Sequence, residues 1–375
     1  MLKIVYSADY LKYDFGPGHP FTPDRWEAVV ELLEQMDLAA DWIKPDPATE
    51  SDVLAIHERA FVEAIKAASV GRAVPYPLYF GLETGDVPVF PGMHEATCAL
   101  CGGSQLAGRL VAEGVSKRVL QLGGGLHHAM PGRASGFCVY NDPAFTIEAL
   151  RARGLRVAYV DIDVHHGDGV QAIYYNDPDV LTLSLHESGR FLFPGTGEIN
   201  ELGNGRAIGT SVNVPLSPGT QDASYLESFE EVVPRVLRHF DPDVLVIQSG
   251  ADAHYLDPLA HLSLTTHAYE TLFRRLIVLS EEITEGRMVV ALGGGYAFDS
   301  TTRVWALLAH CLADAELPER LPAEWMDRWG FRRESISPDL HDRRRSVSSE
   351  GRDSSVVQAN QQTVGSLLEA LEELE

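Results

Sequence analysis

Within Asp161–Asp168, three aspartates and two histidines follow directly on the apolar run LRVAYV. Ionisable side chains at the end of a buried strand need a partner or a metal. Alternate residues of an extended chain share a face. Asp161, Asp163 and His165 are therefore expected to point one way, and Ile162 and Val164 the other. Asp163 and His165 then offer a carboxylate and an imidazole to a metal, and Asp252, in SGADAHYLD, offers a third ligand. Three protein ligands with one open position mark a catalytic rather than a structural metal site. Two carboxylates and an imidazole accept Zn2+ or Fe2+. The competing reading is a metal-free network of buried ion pairs.

His127 and His128, in GGGLHHAMPGRASGFCVYND, form a second group. Side by side on a strand they would point apart, which suits acid–base work beside a metal-activated water better than joint ligation. Each imidazole needs a carboxylate to fix its tautomer, and Asp161 and Asp168 are available. Tyr296 follows three glycines in GGGYAFDS. Its ring could swing over the site and donate to a developing oxyanion. Neither GGG run is followed by the Lys-Ser/Thr of a phosphate-binding loop.

These groups need elements that bring them together. The runs MLKIVYS, SKRVLQL, LRVAYVDIDV, DVLTLSL, DVLVIQS and GRMVVAL predict strands, with helical patterns such as DPAFTIEALRARG and THAYETLFRRLIVLSEEI between them. Near-continuous apolar strands separated by helices imply an α/β fold: one domain, a doubly wound, mostly parallel sheet with helices on both faces. Such sheets bind ligands outside the carboxyl ends of their strands. Four strand ends carry His, Asp or Tyr beside glycine, and a fifth, LHESGRFLFPGTG, adds a histidine and Phe193.

The chain has 375 residues, 45% hydrophobic and 22% charged, with a formal net charge of -24. That excess argues against nucleic-acid binding and suits a cationic substrate, although acidity that serves solubility alone is the stronger reading. The start, MLKIVYSADYL, shows no signal peptide and no run reaches membrane-span length. Four cysteines make no disulfide framework, so a reduced, cytoplasmic protein is expected. Cys98 and Cys101 have C-x-x-C spacing without a second pair, and read as core residues of a helix rich in small side chains. The catalytic domain is expected to span residues 1–320 and a C-terminal extension 321–375. From Arg332 the chain turns polar and Ser-rich, as a surface segment or loose linker. TVGSLLEALEELE then predicts a short amphipathic helix with Leu367, Leu368, Leu371 and Leu374, docked on the main body or on another subunit.

The motifs GGGLHHAMPGRASGFCVYND, DIDVHHGDGVQ, SLHESGRFLFPGTG, SGADAH and GGGYAFDS, with GPGHPFTPDR and GLETGDVPVFPGMHEA before them, resemble the metal-dependent histone deacetylase family over roughly the first three hundred residues. The wording of TGDVPVFPGMHEA is most similar to its bacterial branch of acetoin utilization proteins. The resemblance implies the arginase/deacetylase fold and hydrolysis of acetyl-lysine to lysine and acetate. It implies that Asp163, His165 and Asp252 hold zinc, and that His127 and His128 are the tandem histidines with Asp161 and Asp168 as partners. His128 would be the general base, and Tyr296 would polarise the carbonyl. Phe137 and Phe193 would wall the acyl-lysine tunnel, Gly136 would contact the lysine amide, Asp86 would hold the substrate backbone, and Arg25 would line an inner acetate cavity. A structural potassium ion would sit at Asp161, Asp163, His165, Ser184 and Leu185. The expected partners are acetylated proteins, with an acyl-CoA synthetase as the one the acetoin branch suggests. The rival readings are an acetylpolyamine deacetylase, a two-metal manganese ureohydrolase and an inactive acyl-lysine binding module. The ureohydrolase would want a D-x-D pair where SGADAH has His254.

Overall fold

The structure, a computed structural model, describes residues 1–330, 336–343 and 354–374. Its strands are β1 (Leu2–Val5), β2 (Ala40–Ile43), β3 (Arg118–Gln121), β4 (Val157–Asp161), β5 (Val180–Glu187), β6 (Ser211–Leu216), β7 (Val244–Gln248) and β8 (Met288–Ala291). The α-helices are α1 (Asp24–Gln35), α2 (Glu50–Ile56), α3 (Arg59–Ser69), α4 (Met93–Ala112), α5 (Asp142–Arg151), α6 (Asp168–Tyr174), α7 (Asp222–Phe240), α8 (Thr266–Ile283), α9 (Phe298–Leu312), α10 (Ala323–Trp329) and α11 (Ser354–Glu372).

Successive side chains of a strand face opposite sides of a sheet. Ala158 and Val160 of β4 accordingly enter one apolar core, with Trp305 of α9 and Leu272 of α8, while Val157 and Tyr159 enter another with Ile147 and Leu150 of α5. Apolar burial on both faces is why these strands read as continuous hydrophobic runs. The eight strands form one sheet in the order β2-β1-β3-β8-β7-β4-β5-β6. Every pairing is parallel. All carboxyl ends therefore lie along one edge. The five strands whose following loops carry chemistry, β3, β8, β7, β4 and β5, are consecutive in that order.

Two strands escape the sequence reading, β2 and β6, and both lie at the sheet's edges. β2 is half-exposed, and β6, SVNVPL, breaks its apolar run with Asn213 and Pro215. Proline is tolerated at an edge because no outer strand needs its N–H.

The small residues of α4 serve close packing. A methyl group at Gly103 would overlap the Tyr10 hydroxyl and the Gln121 amide. All four cysteines are free and buried.

The described residues beyond 320 pack onto the body. Trp325 donates from Nε1 to the Ala28 carbonyl at 2.8 Å, and Trp329 to Glu31 Oε2 at 2.8 Å, so α10 sits against α1. Ile336 and Leu340 are buried, so residues 336–343 are not the loose linker the composition suggests. The rest of that polar stretch, 332–335 and 344–353, lies outside the described residues. Helix α11 starts earlier than its leucines indicate. It docks on β6 and α7 through Asn360, Val364 and Leu367, with Leu368 and Leu371 half-buried and Leu374 exposed. No helix among the described residues is long and apolar enough to cross a membrane.

Candidate active site

After Asp161 the chain leaves the extended form that simple alternation assumes. Asp161 Oδ1 accepts from the Asp163 N–H at 3.1 Å, and Asp163 Oδ1 from the His165 N–H at 3.0 Å. Two successive side-chain-closed turns, rather than a strand, set the direction of these groups. Ile162 and Val164 still enter the core.

Asp163, His165 and Asp252 converge from the ends of β4 and β7, each offering a ligand atom within 4.8 Å of the others. His165 Nδ1 lies 3.1 Å from Asp163 Oδ1 and 3.1 Å from Asp252 Oδ2. The remaining carboxylate oxygens are tied back. Asp163 Oδ2 accepts from Gln248 Nε2 at 2.7 Å and from the Gly294 N–H at 2.8 Å, and Asp252 Oδ1 from the Val164 N–H at 2.9 Å. A side chain at Gly294 would overlap Asp252 Oδ2, which explains one glycine of the GGG run.

Burial, with Asp163 beside it, pushes Asp252 up to about 7. Burial opposes a charge on His165, yet the hydrogen bonds and charges of Asp163 and Asp252 outweigh it and raise that imidazole well above its ordinary value. Two buried carboxylates thus draw a positive charge onto the centre between them. The donor set and that demand for charge both fit a divalent cation.

His127 and His128 do not point apart. Both lie in the turn after β3 rather than on a strand, and their ring centroids are 4.0 Å from each other. His127 Nδ1 bonds Asp161 Oδ2 at 2.7 Å, and His128 Nδ1 bonds Asp168 Oδ1 at 2.7 Å. Their Nε2 atoms face each other at 3.0 Å. With both Nδ1 protons donated to carboxylates, this contact holds one proton between two nitrogens. Burial disfavours a charge on either ring. At His127 the charges of Asp161 and Asp163 outweigh burial and raise it to about 9. At His128 burial, reinforced by the neighbouring His127, drives it well below its ordinary value. The shared proton is therefore drawn toward His127, and the His128 Nε2 is left unprotonated, accepting from His127.

Tyr296 does not swing freely. Its N–H donates to Asp257 Oδ2 at 2.8 Å, and its ring packs 5.6 Å from that of Phe137. The Phe193 ring lies 4.9 Å from His128, so Phe137 and Phe193 both border the site. Gly136 has a positive φ of 50°, and a side chain there would press on His128 and Phe193. Asp86 is exposed, and its carbonyl pairs with His19, whose ring meets Phe137 at 4.7 Å. Arg25 is buried, with Nη1 on the Gly295 carbonyl at 2.9 Å and its guanidinium 4.1 Å from the Phe21 ring and 5.7 Å from Tyr296. Its Nε and Nη2 have no partner. Ser184 and Leu185 are buried on β5, Ser184 in register with Asp161.

Sequence reasoning passed over several supporting residues. Gln248 orients Asp163 and also accepts from the Gly250 N–H at 2.8 Å. Its signal was an amide ending an otherwise apolar strand. Tyr159 donates to Asp161 Oδ2 at 2.7 Å. Asp142 accepts from the Gly125 and Leu126 N–H groups at 3.2 and 2.7 Å and so shapes the turn that presents the histidines. Asp257 fixes Tyr296, and no local spacing signals it.

A parallel α/β sheet whose strand ends gather two His–Asp pairs beside a buried Asp-His-Asp trio that fits a divalent metal has the parts of a hydrolytic site. The family model described as Histone deacetylase domain matches residues 19–312, and the chain belongs to the histone deacetylase family. Acetoin utilization protein AcuC of Bacillus subtilis (strain 168) is 41% identical over 330 residues, covering 87% of this chain and 85% of that protein. Acetoin utilization protein AcuC of Staphylococcus aureus (strain MRSA252) is 39% identical over 331 residues, 87% of this chain and 85% of that protein. The crystal structure of an HDAC homolog from Aquifex aeolicus superposes with a TM-score of 0.85 at 28% identity, covering 96% of this chain and 99% of the other. An HDAC homolog complexed with SAHA gives 0.86 at 28% identity, covering 98% and 99%.

Proposed function

We propose that this protein hydrolyses acetyl-lysine side chains of proteins to lysine and acetate, with one divalent metal held by Asp163, His165 and Asp252. The observation that carries the reading is the pair of His–Asp couples facing each other across 3.0 Å beside the trio. A zinc or ferrous ion bound there would supply Lewis acidity and make water a nucleophile at neutral pH.

The chain's own groups do the rest. His128, with Nδ1 pinned by Asp168 and Nε2 unprotonated, takes the proton of the attacking water. It later returns that proton to the departing lysine Nζ. His127 carries the positive charge that steadies the developing anion. The Tyr296 hydroxyl donates to the amide oxygen as it gains charge. Phe137 and Phe193 take the neutral methylene stem, while free lysine is rejected because its ammonium would have to shed water. Gly136 and Asp86 hold the substrate backbone. Arg25, with two buried donors lacking a partner, receives the acetate. A potassium ion at Asp161, Asp163, His165, Ser184 and Leu185 would be structural. The setting is cytoplasmic, and the natural substrates include an acyl-CoA synthetase.

An acetylated polyamine is the second reading, favoured by the net charge of -24 and the exposed Asp86 at the rim. A two-metal ureohydrolase finds less support. His254, where a second carboxylate would be wanted, spends Nε2 on Asp342 at 2.9 Å and Nδ1 on the Leu256 N–H at 3.2 Å. The test is acetate release from an acetyl-lysine peptide and an acetylated polyamine, side by side. Faster turnover of the peptide is expected. Preference for the polyamine would transfer the assignment to small cations, and release from neither would end it.

A further inference from the structure

A buried polar cluster outside the catalytic groups joins the C-terminal segment to two catalytic loops. Asp342 lies beyond the stretch that matches the family model, which ends at residue 312. Its Oδ2 accepts from His254 Nε2 at 2.9 Å and from the Thr266 N–H at 2.8 Å, and its Oδ1 from Arg303 Nη1 at 3.0 Å. The Leu256 N–H donates into His254 Nδ1, so the ring proton sits on Nε2 and points at Asp342. His254 is fully buried, and Arg303 is 1% exposed.

The two sides of this cluster belong to different elements. His254 stands two residues after Asp252, on the loop that follows β7, and that loop continues to Asp257, which holds the Tyr296 N–H. Arg303 and Asp299 stand in the first turns of α9, directly after Tyr296. Arg303 grips Asp299 through Nε at 3.1 Å and Nη2 at 2.7 Å, and the Ser337 N–H donates to Asp299 Oδ1 at 2.9 Å. Arg303 Nη1 also donates to the Leu340 carbonyl at 3.3 Å. Residues 336–343 therefore touch the Asp252 loop through Asp342 and the start of α9, just after Tyr296, through Ser337, Leu340 and Asp342.

We propose that residues 336–343 form a strap that holds the loop carrying Asp252 in register with the loop carrying Tyr296, and that Asp342 is its positioning residue. The proposal deepens the deacetylase reading and rests on it for the roles of those two loops. Removing the Asp342 carboxylate leaves Arg303 with its two bonds to Asp299 and one to the Leu340 carbonyl, so no guanidinium is stranded and the fold survives. It does strand the His254 Nε2–H and the Thr266 N–H, and a buried donor without an acceptor moves toward one. Asp252 follows, because it is two residues away. Groups that orient metal ligands typically matter about 10–100-fold in affinity or activity.

Asp342→Ala, His254→Leu and the double variant would be compared with His254→Gln, whose Nε2 can still donate to Asp342. Three quantities are read: zinc affinity by competition with a chromophoric chelator, kcat and KM on an acetyl-lysine peptide, and Tm. The strap predicts that each single variant weakens zinc affinity and lowers kcat by about 10–100-fold, with KM little changed. The double variant should be no worse than either single one, because the bond can be lost only once. His254→Gln should recover most of both. The strap is overturned if Asp342→Ala, well below its Tm, keeps wild-type zinc affinity and kcat, or if the two losses multiply. Should Asp342→Ala fail to fold, His254→Leu against His254→Gln carries the same comparison. A wild-type protein that releases no acetate from the peptide would sink the deacetylase reading alone, because zinc affinity still judges the strap.

Discussion

Replacing Asp168 with asparagine separates catalysis from stability at a single atom. Asp168 Oδ1 accepts the His128 Nδ1 proton at 2.7 Å, and this bond leaves Nε2 free to act as a base. An asparagine amide can donate to Nδ1 instead, which moves the ring proton to Nε2. That proton would then meet His127 Nε2 at 3.0 Å, itself protonated. Losing a charge-assisted hydrogen bond costs about 1.5–3 kcal/mol, or roughly 10–100-fold in rate. A wrong tautomer extends the loss toward about 10⁴-fold.

Stability moves the other way. Burial raises the Asp168 carboxyl from its ordinary 3.8 to about 6, against the pull of His166 and His127. A carboxyl raised on folding loses stability as pH climbs from about 4 through about 6, and the ionised form costs on the order of 3 kcal/mol. Asp168→Asn should therefore melt no lower than the parent at pH 7, while kcat/KM on an acetyl-lysine peptide falls by about 10²–10⁴. The parent should also show an acid limb in kcat/KM near pH 6, where Asp168 takes up a proton and releases its hold on His128. The limb should be missing from the variant. Turnover within about threefold of the parent, or an unchanged acid limb, would refute the role given to this pair.

Two further perturbations test other parts of the account. Tyr296→Phe removes only a hydroxyl, leaves the backbone bond to Asp257 in place, and should lower kcat by about 10²–10³ in the acetate-release assay with little change in Tm. Asn360→Ala strips α11 of a buried amide that accepts from the Ser217 N–H at 2.9 Å and donates to Thr220 Oγ1 and Ser224 Oγ at 2.8 and 3.0 Å. Denaturant unfolding should show a loss of about 1–3 kcal/mol, with kcat unchanged.

The central strands were legible because burial on both faces demands continuous apolar runs, and the ionisable groups beside glycine marked which strand ends share one site; the strand order came only from the fold. The edge strands β2 and β6 were not, because an edge mixes polar and apolar positions. Asp163, His165 and Asp252 could be grouped from residue type and strand-end position alone. Their orientation could not, since it comes from side-chain-to-backbone turns at Asp161 and Asp163. The convergence of His127 and His128 likewise depends on the turn that Asp142 closes, 15 residues further along the chain. Asp257 and Asp342 act on groups brought close only by the fold, and no local pattern marks them. The packed tail was hidden by composition: Ile336, Leu340 and Asp342 are a few anchoring residues in an otherwise polar, arginine-rich stretch.

The most direct test of the central claim is to measure bound divalent metal and acetate release on the same samples, from stripped protein to full loading. The account predicts saturation at one catalytic metal per chain, turnover of the acetyl-lysine peptide in proportion to occupancy, and none from stripped protein. Turnover by metal-free protein, or a requirement for two metals per chain, would contradict it.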